Sequence, residues 1–136
     1  MAHLSREQIL AAKLPVRDVE VAEWGGDVRI RSLSVKHRLE MLDTWKAHER
    51  LVDEYEADQK LPEHERIGVE RVDHLDQAIF QLVYSIVDAK TGALMFTMGD
   101  FDAFKDLDYV TLQRLYGVFI ELNAPKPAEN LKKTSA

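Results

Sequence analysis

"VEVAEWGGDVRIRSL", residues 19–33, decides how the rest of the chain must be arranged. Val19 and Val21 alternate with charged or small residues, and Val28 and Ile30 alternate with Arg29 and Arg31. A period of two puts the aliphatic groups on one face and the arginines on the other, the pattern of a half-buried strand. Between the two runs, Gly25 and Gly26 tolerate the positive φ angles of tight hairpin turns, and Asp27 is a favoured turn residue. The stretch therefore predicts a two-stranded hairpin. A lone hairpin is marginal in water, so its aliphatic face needs a second layer, and the neighbouring segments that can supply one are helical.

Upstream, Ser5 and Gln8 have capping-box spacing and open a short helix over 6–13 that stops before Pro15. Downstream, Ser34 caps a helix to about residue 58, with Val35, Leu39, Leu42, Trp45, Val52 and Tyr55 at helical spacing. "KLPEHERIG", 60–68, reads as a loop. Helical spacing resumes near Val69 and runs through Val72, Leu75, Ile79, Leu82, Val83 and Ile86, a broad apolar face expected at the centre of the core. It ends near "DAKTG", 88–92, where Gly92 suits a terminating turn. Leu94 to Phe96 read as a short extended piece, and Asp100 as the cap of a brief helix to Leu107. Asp108 starts the last helix, with Leu112, Leu115, Tyr116, Phe119 and Leu122 inward and its end near Asn123. "PKPAENLKKTSA", 125–136, has two prolines and little to bury, so a mobile tail is expected there. The fold class expected is α+β: a mainly helical single domain over 1–124, with an N-terminal β-hairpin against three principal helices and one or two short ones.

A chain of 136 residues fits one domain and buries roughly two-thirds of its unfolded surface. Its 46% hydrophobic and 31% charged residues match ordinary globular usage, so no staple is required. Cysteine is absent, which removes disulfides, thiolate zinc sites and cysteine nucleophiles together. No apolar run approaches the ~20 residues that cross a bilayer, and "MAHLSREQIL" lacks the pattern of a secretory signal. A soluble intracellular protein without membrane contact is expected. The net charge is −6 and the basic residues are scattered, which disfavours nucleic acid as a partner. Acidity concentrates at Asp53, Glu54, Glu56 and Asp58, either a solvated helix end or a contact for a basic partner.

Candidate chemistry fails residue by residue. His48-Glu49 meets Val52, and His64-Glu65 meets Gly68, where a zinc protease helix needs its second histidine. Asp100, Asp102, Asp106 and Asp108 cluster, yet Phe104 occupies the third ligand position of a calcium loop, and helix-start acidity accounts for them. Gly25-Gly26 leads into no helix with a following Lys-Ser or Lys-Thr, so it is no phosphate cradle. No enzyme, metal or cofactor is expected. Trp45 continues an apolar stripe and reads as core. Trp24, at the hairpin tip, either lies on a neighbouring helix or projects as a partner anchor, the role for which tryptophan is enriched.

The segments "SREQILAAKLP", "VEVAEWGGDVRIRSLSVKHRLEM", "DAKTGALMFTMGDFDAFKDLD" and the closing "IELNA" resemble the tail assembly chaperones of long-tailed, siphovirus-type and lambda-like bacteriophages and prophages, over most of residues 5–124. The "EWGGDVRIRSLS" hairpin is the most specific part. The resemblance implies a non-catalytic role in phage morphogenesis: coating the tape measure protein in the host cytoplasm, keeping it soluble, and yielding to the major tail protein as the tube polymerises. It implies absence from the mature virion, self-association, and in many members a longer form made by translational frameshift. Lys132-Lys133 supplies paired lysine codons on which such a shift can occur.

The role fits the composition, because a long helical client with apolar stripes aggregates unless many small copies shield it. Two rival readings remain open at this level, a generic phage or bacterial adaptor with another client and a hydrolase using dispersed His, Asp and Ser. Trp24, Arg29 and Arg31 on the hairpin are the first contacts to test. The arginines, on the polar face of an edge, have a candidate counterpart in Asp53, Glu54, Glu56 and Asp58 of a neighbouring copy.

Overall fold

The computed structural model describes residues 2–124; the expected tail, 125–136, lies outside them. Helix α1 spans Arg6–Leu10, and strands β1 (Val16–Val21) and β2 (Gly26–Arg31) follow it. Helix α2 is Val35–Gln59 and α3 is Gln77–Val83, after which Ile86–Val87 forms β3. Helices α4 (Phe101–Phe104) and α5 (Tyr109–Asn123) complete an α+β fold with its sheet rooted near the N-terminus.

The hairpin expected from residues 19–33 forms, antiparallel, with Val19 opposite Val28 and Asp18 opposite Arg29. Its turn differs from the expected one. Ala22–Trp24 make one 3-10 turn, and Gly25 alone takes the positive angle, φ 79°. Gly26 and Asp27 are already strand, paired with Val21 and Glu20. The hairpin is also not a two-stranded unit, because β3 pairs antiparallel with β2 through Arg29–Val87 and Ile30–Ile86. Strand β2 is therefore central, which corrects the expectation that Arg29 and Arg31 sit on an edge.

The largest departure lies between residues 69 and 87. Helix is expected from Val69, yet 66–76 run without regular structure along α2 and helix begins at Gln77. The Asp76 carboxylate accepts the Ile79 N–H and starts α3 there. Backbone groups of the extended strap before it bond to side chains of α2. Asp58 accepts the N–H groups of Ile67 (2.9 Å) and Val69 (3.1 Å), and the His48 Nε2 lies 2.6 Å from the Asp73 carbonyl oxygen. At the other end Ile86, counted on the helical face, is strand. β-Branched Ile86 and Val87 complete the sheet after a turn at Tyr84-Ser85.

Other boundaries shift modestly. Helix α1 closes at Leu10 with its Ser5/Gln8 capping box in place, short of residue 13. Leu94 bridges to Val87, in line with the short extended piece expected. Asp100 stands at the N-cap position of α4 as expected but makes no side-chain bond to that helix; its carboxylate accepts the Thr97 N–H in a reciprocal cap of the turn before it, and α4 ends at Phe104 rather than Leu107. Ser34 and Asp108 cap α2 and α5 as the sequence predicts.

The core gathers Val21 and Ile30 from the hairpin, Ile79, Leu82 and Val83 from α3, Phe101 and Phe104 from α4, and Leu112, Leu115 and Phe119 from α5. Helix α2 contributes Met41, and Trp45 stacks on Phe80 with ring centroids 5.7 Å apart. The start of its expected inward stripe turns outward. Val35 is 78% exposed and Leu39 is exposed as well, because the stripe leaves the core before it reaches the N-terminal turn.

Candidate interaction surfaces

The seven residues singled out from the sequence occupy three different environments. Arg29 forms a two-pronged bond across the hairpin, Nε to Asp18 Oδ1 at 2.7 Å and Nη2 to Oδ2 at 3.0 Å, and its Nη1 donates to the Ala89 carbonyl at 3.3 Å. The guanidinium holds the Asp18 carboxyl below the ordinary carboxylate range, and Asp18 in turn raises Arg29. Arg31 donates from Nη1 to the Gly92 carbonyl at 2.8 Å, at a glycine with φ 73°. Both arginines thus staple the 88–93 turn to the polar side of β2. Asp88 tightens that turn by accepting the N–H groups of Lys90 and Thr91, which keep its carboxyl ionised to lower pH than usual.

The acidic run divides along the helix. Asp58 is 4% exposed, and its carboxylate is held below its usual range by the backbone N–H of Ile67 first and then those of Val69 and Gly68. It supports the strap from inside the chain. Glu56 lies 3.4 Å from His74 Nε2, and Glu49 lies 3.2 Å from His74 Nδ1. Asp53 and Glu54 are exposed and have no ion-pair partner among the described residues.

Trp24 sits differently, 42% exposed on the rim of an apolar hollow of about 260 Å³. Val28, Met95, Phe96, Phe104 and Leu107 share its lining. Phe96 meets Phe104 edge to face at 4.8 Å and forms the floor, while Met95 and Leu107 stand exposed at the mouth. The turn that carries Trp24 is anchored by its neighbour. Glu23 accepts from Arg114 Nη2 at 2.6 Å, and Thr111 Oγ1 lies 3.0 Å from Glu23 and 2.9 Å from Asp108. Its own backbone N–H, then Thr111 and Arg114, hold the Glu23 carboxyl below its ordinary value against the opposing effect of burial. Sequence reasoning missed Glu23, Thr111 and Arg114 because the partners lie about ninety residues apart.

A second groove, of about 450 Å³, opens where α2 begins and α5 ends. Leu33, Val35, Leu39 and Phe119 share its lining with Ser34, Arg38, Gln81 and Asn123, so it is of mixed polarity. Asn123 joins its walls: its Oδ1 accepts the Leu33 N–H at 2.9 Å and its Nδ2 donates to the Phe119 carbonyl at 2.8 Å.

Among the described residues no three or more His, Asp or Glu side chains converge as metal ligands, and no helix is long and apolar enough to cross a membrane. Compared with known protein families, curated proteins and solved structures, the chain matches none.

Proposed function

We propose that this chain is a phage tail assembly chaperone, a non-catalytic protein that binds the tape measure protein and promotes polymerisation of the tail tube. In this reading it acts in several copies in the host cytoplasm and leaves before the virion is complete. The single observation that carries it beyond the resemblance over residues 5–124 is the groove beside Val35. Val35 and Leu39 stand exposed on the first turns of the long helix α2, beside Leu33, and such a row suits the apolar stripe of a helical client. Holding such a stripe reversibly keeps the client out of aggregates without any bond being made or broken.

Co-expression with the tape measure and tube proteins encoded beside its gene tests the reading. The tape measure protein is expected in the soluble fraction and to co-purify with the chain. Val35→Asp with Leu39→Asp should abolish capture while circular dichroism and unfolding midpoint stay near those of the parent. Capture of neither tail protein would replace the reading with a generic adaptor of another client. The proposed longer form rests on Lys132-Lys133, outside the described residues, and a gene without a slippery heptamer there or an overlapping downstream frame would remove it.

A further inference from the structure

Residues 125–136 follow directly on α5, and the end of α5 is also the mouth of an uncovered trough. Ala124 leaves the helix at φ −76° and ψ 147°, which is polyproline II geometry. Pro125 and Pro127 favour the same extended course. Asn123, one residue earlier, lines the groove beside Val35 and accepts the Leu33 N–H at its wall.

The trough is longer than that groove. Arg38 and Gln81, which line it, also line a second hollow of about 290 Å³ with Leu42, Trp45 and Phe80. The two openings thus follow one another along α2 from Val35 to Trp45, about 15 Å at 1.5 Å per residue. Val35 is 78% and Leu39 57% exposed, and Trp45 is partly so. Arg38 has no ion-pair partner among the described residues.

The sequence after α5 matches this trough in length and in order. At about 3.1 Å per residue, "PKPAENL", 125–131, spans about 22 Å in polyproline II form, enough to pass Val35 and Leu39 and reach the second hollow. Leu131 is the one large aliphatic residue of 125–136, and Glu129 is its one acid. Two residues short of Leu131, Glu129 falls near Arg38, which stands between the two openings. The Trp24 hollow is a poorer match. It lies toward the start of α5, where Glu23 meets Thr111 and Arg114, and its cation Arg29 is already held by Asp18. A tether closes at lower entropic cost on the nearer site.

We propose that residues 125–136 lie back along this trough of their own chain, with Pro125 and Pro127 against Val35 and Leu39, Glu129 toward Arg38, and Leu131 in the hollow at Leu42 and Trp45. In the tail-assembly reading above the client takes the Val35 groove, so on that reading the segment and the client compete for one surface. The docking itself does not depend on that reading, and its test contains no client.

The chain has no cysteine, so Thr134→Cys carries a single spin label on the full chain. Amide signals of residues 38–46 are expected to lose about half or more of their intensity to the label. Signals around Arg17, which meets the end of α5 through Glu121, are expected to keep theirs. Leu131→Asp should return most of the lost intensity, and unchanged shifts in α5 and the sheet check that this variant folds. Glu129→Lys should weaken the effect, and Glu129→Lys with Arg38→Glu should restore it. Isotope-enriched parent mixed with labelled, unenriched chain should show no loss at 38–46. Attenuation at 38–46 no greater than around Arg17 would overturn the proposal. So would attenuation that Leu131→Asp leaves unchanged, a double charge reversal that restores nothing, or transfer of the loss to the enriched parent in the mixture.

Discussion

Helices α5 and α2 are both long and amphipathic, yet they are held by different forces. In 15 residues α5 buries Leu112, Leu115 and Phe119 against the sheet and α3. In 25 residues α2 buries Met41 and Val52, and its other buried residue is Asp58. Apolar burial, at roughly 25 cal/mol per Å², is enough to place α5. The outer half of α2 depends on polar ties to the 66–76 strap, through Asp58, His48, Glu49 and Glu56. One half of the molecule is a conventional core, and the other is a helix and a strap that complete each other's hydrogen bonds.

The sharpest break of this contrast is a pair of truncations. Leu115→Ala is expected to cost about 2–5 kcal/mol in urea unfolding, the range for a fully buried leucine. Val35→Ala, on the open end of α2, should stay within about 0.5 kcal/mol of the parent. Equal losses would mean that α2 is buried in solution as it is not here.

Asp58→Asn removes the charge that the strap amides point at. Hydrogen exchange at Ile67 and Val69 should accelerate by about tenfold or more while exchange in α5 is unchanged. The same carboxylate sets an acid limit. Its pKa is lowered in the fold from an ordinary 3.8, so its contribution is present above that value and is lost as pH falls through the lower folded value. A global loss of protection would show that the strap is not a separable unit.

Arg114→Ala is a smaller perturbation, since it leaves Thr111 on Glu23 but removes the guanidinium from the turn. Emission from Trp24, read in a Trp45→Phe background, is expected to move toward that of a solvated indole with little change in the unfolding midpoint. No spectral change would mean that the 3-10 turn holds Trp24 without this network.

The smallest effect belongs to His74. Glu49 first and Glu56 second raise its pKa above the ordinary 6.5. A raised value contributes stability in full below 6.5 and loses it as pH rises through the folded pKa. Together with Asp58, this makes the strap tightest from about pH 4 to about pH 6.5. Strap exchange corrected for the intrinsic pH effect should rise modestly above that window, and His74→Gln should remove the rise.

How much of this was legible in the sequence follows the range of the forces involved. The capping residues Ser5, Ser34 and Asp108 could be read directly, since each bonds an amide three positions away. The 69–86 segment misled because Val69, Val72 and Leu75 are spaced as on a helix, while the groups that hold them extended sit on α2. Among the candidate contacts, Trp24 at the hairpin tip was recognisable from its position in the turn. The engagements of Arg29 with Ala89, Arg31 with Gly92 and Asp58 with Ile67 were not, because each acceptor or donor is a backbone group that the sequence does not distinguish.

By itself the sequence determined the α+β class, the hairpin with its valine and isoleucine face, the ends of α2 and α5, and the aliphatic face of α5. These follow from periodicity and capping, which act within a few residues. The tertiary structure alone decided that β2 lies between two strands, that 66–76 is a strap rather than a helix, and that Trp24 borders a hollow floored by Phe96 and Phe104. Each of those depends on backbone amides and side chains distant in the chain finding one another, and local pattern carries no record of which distant partner a group will meet.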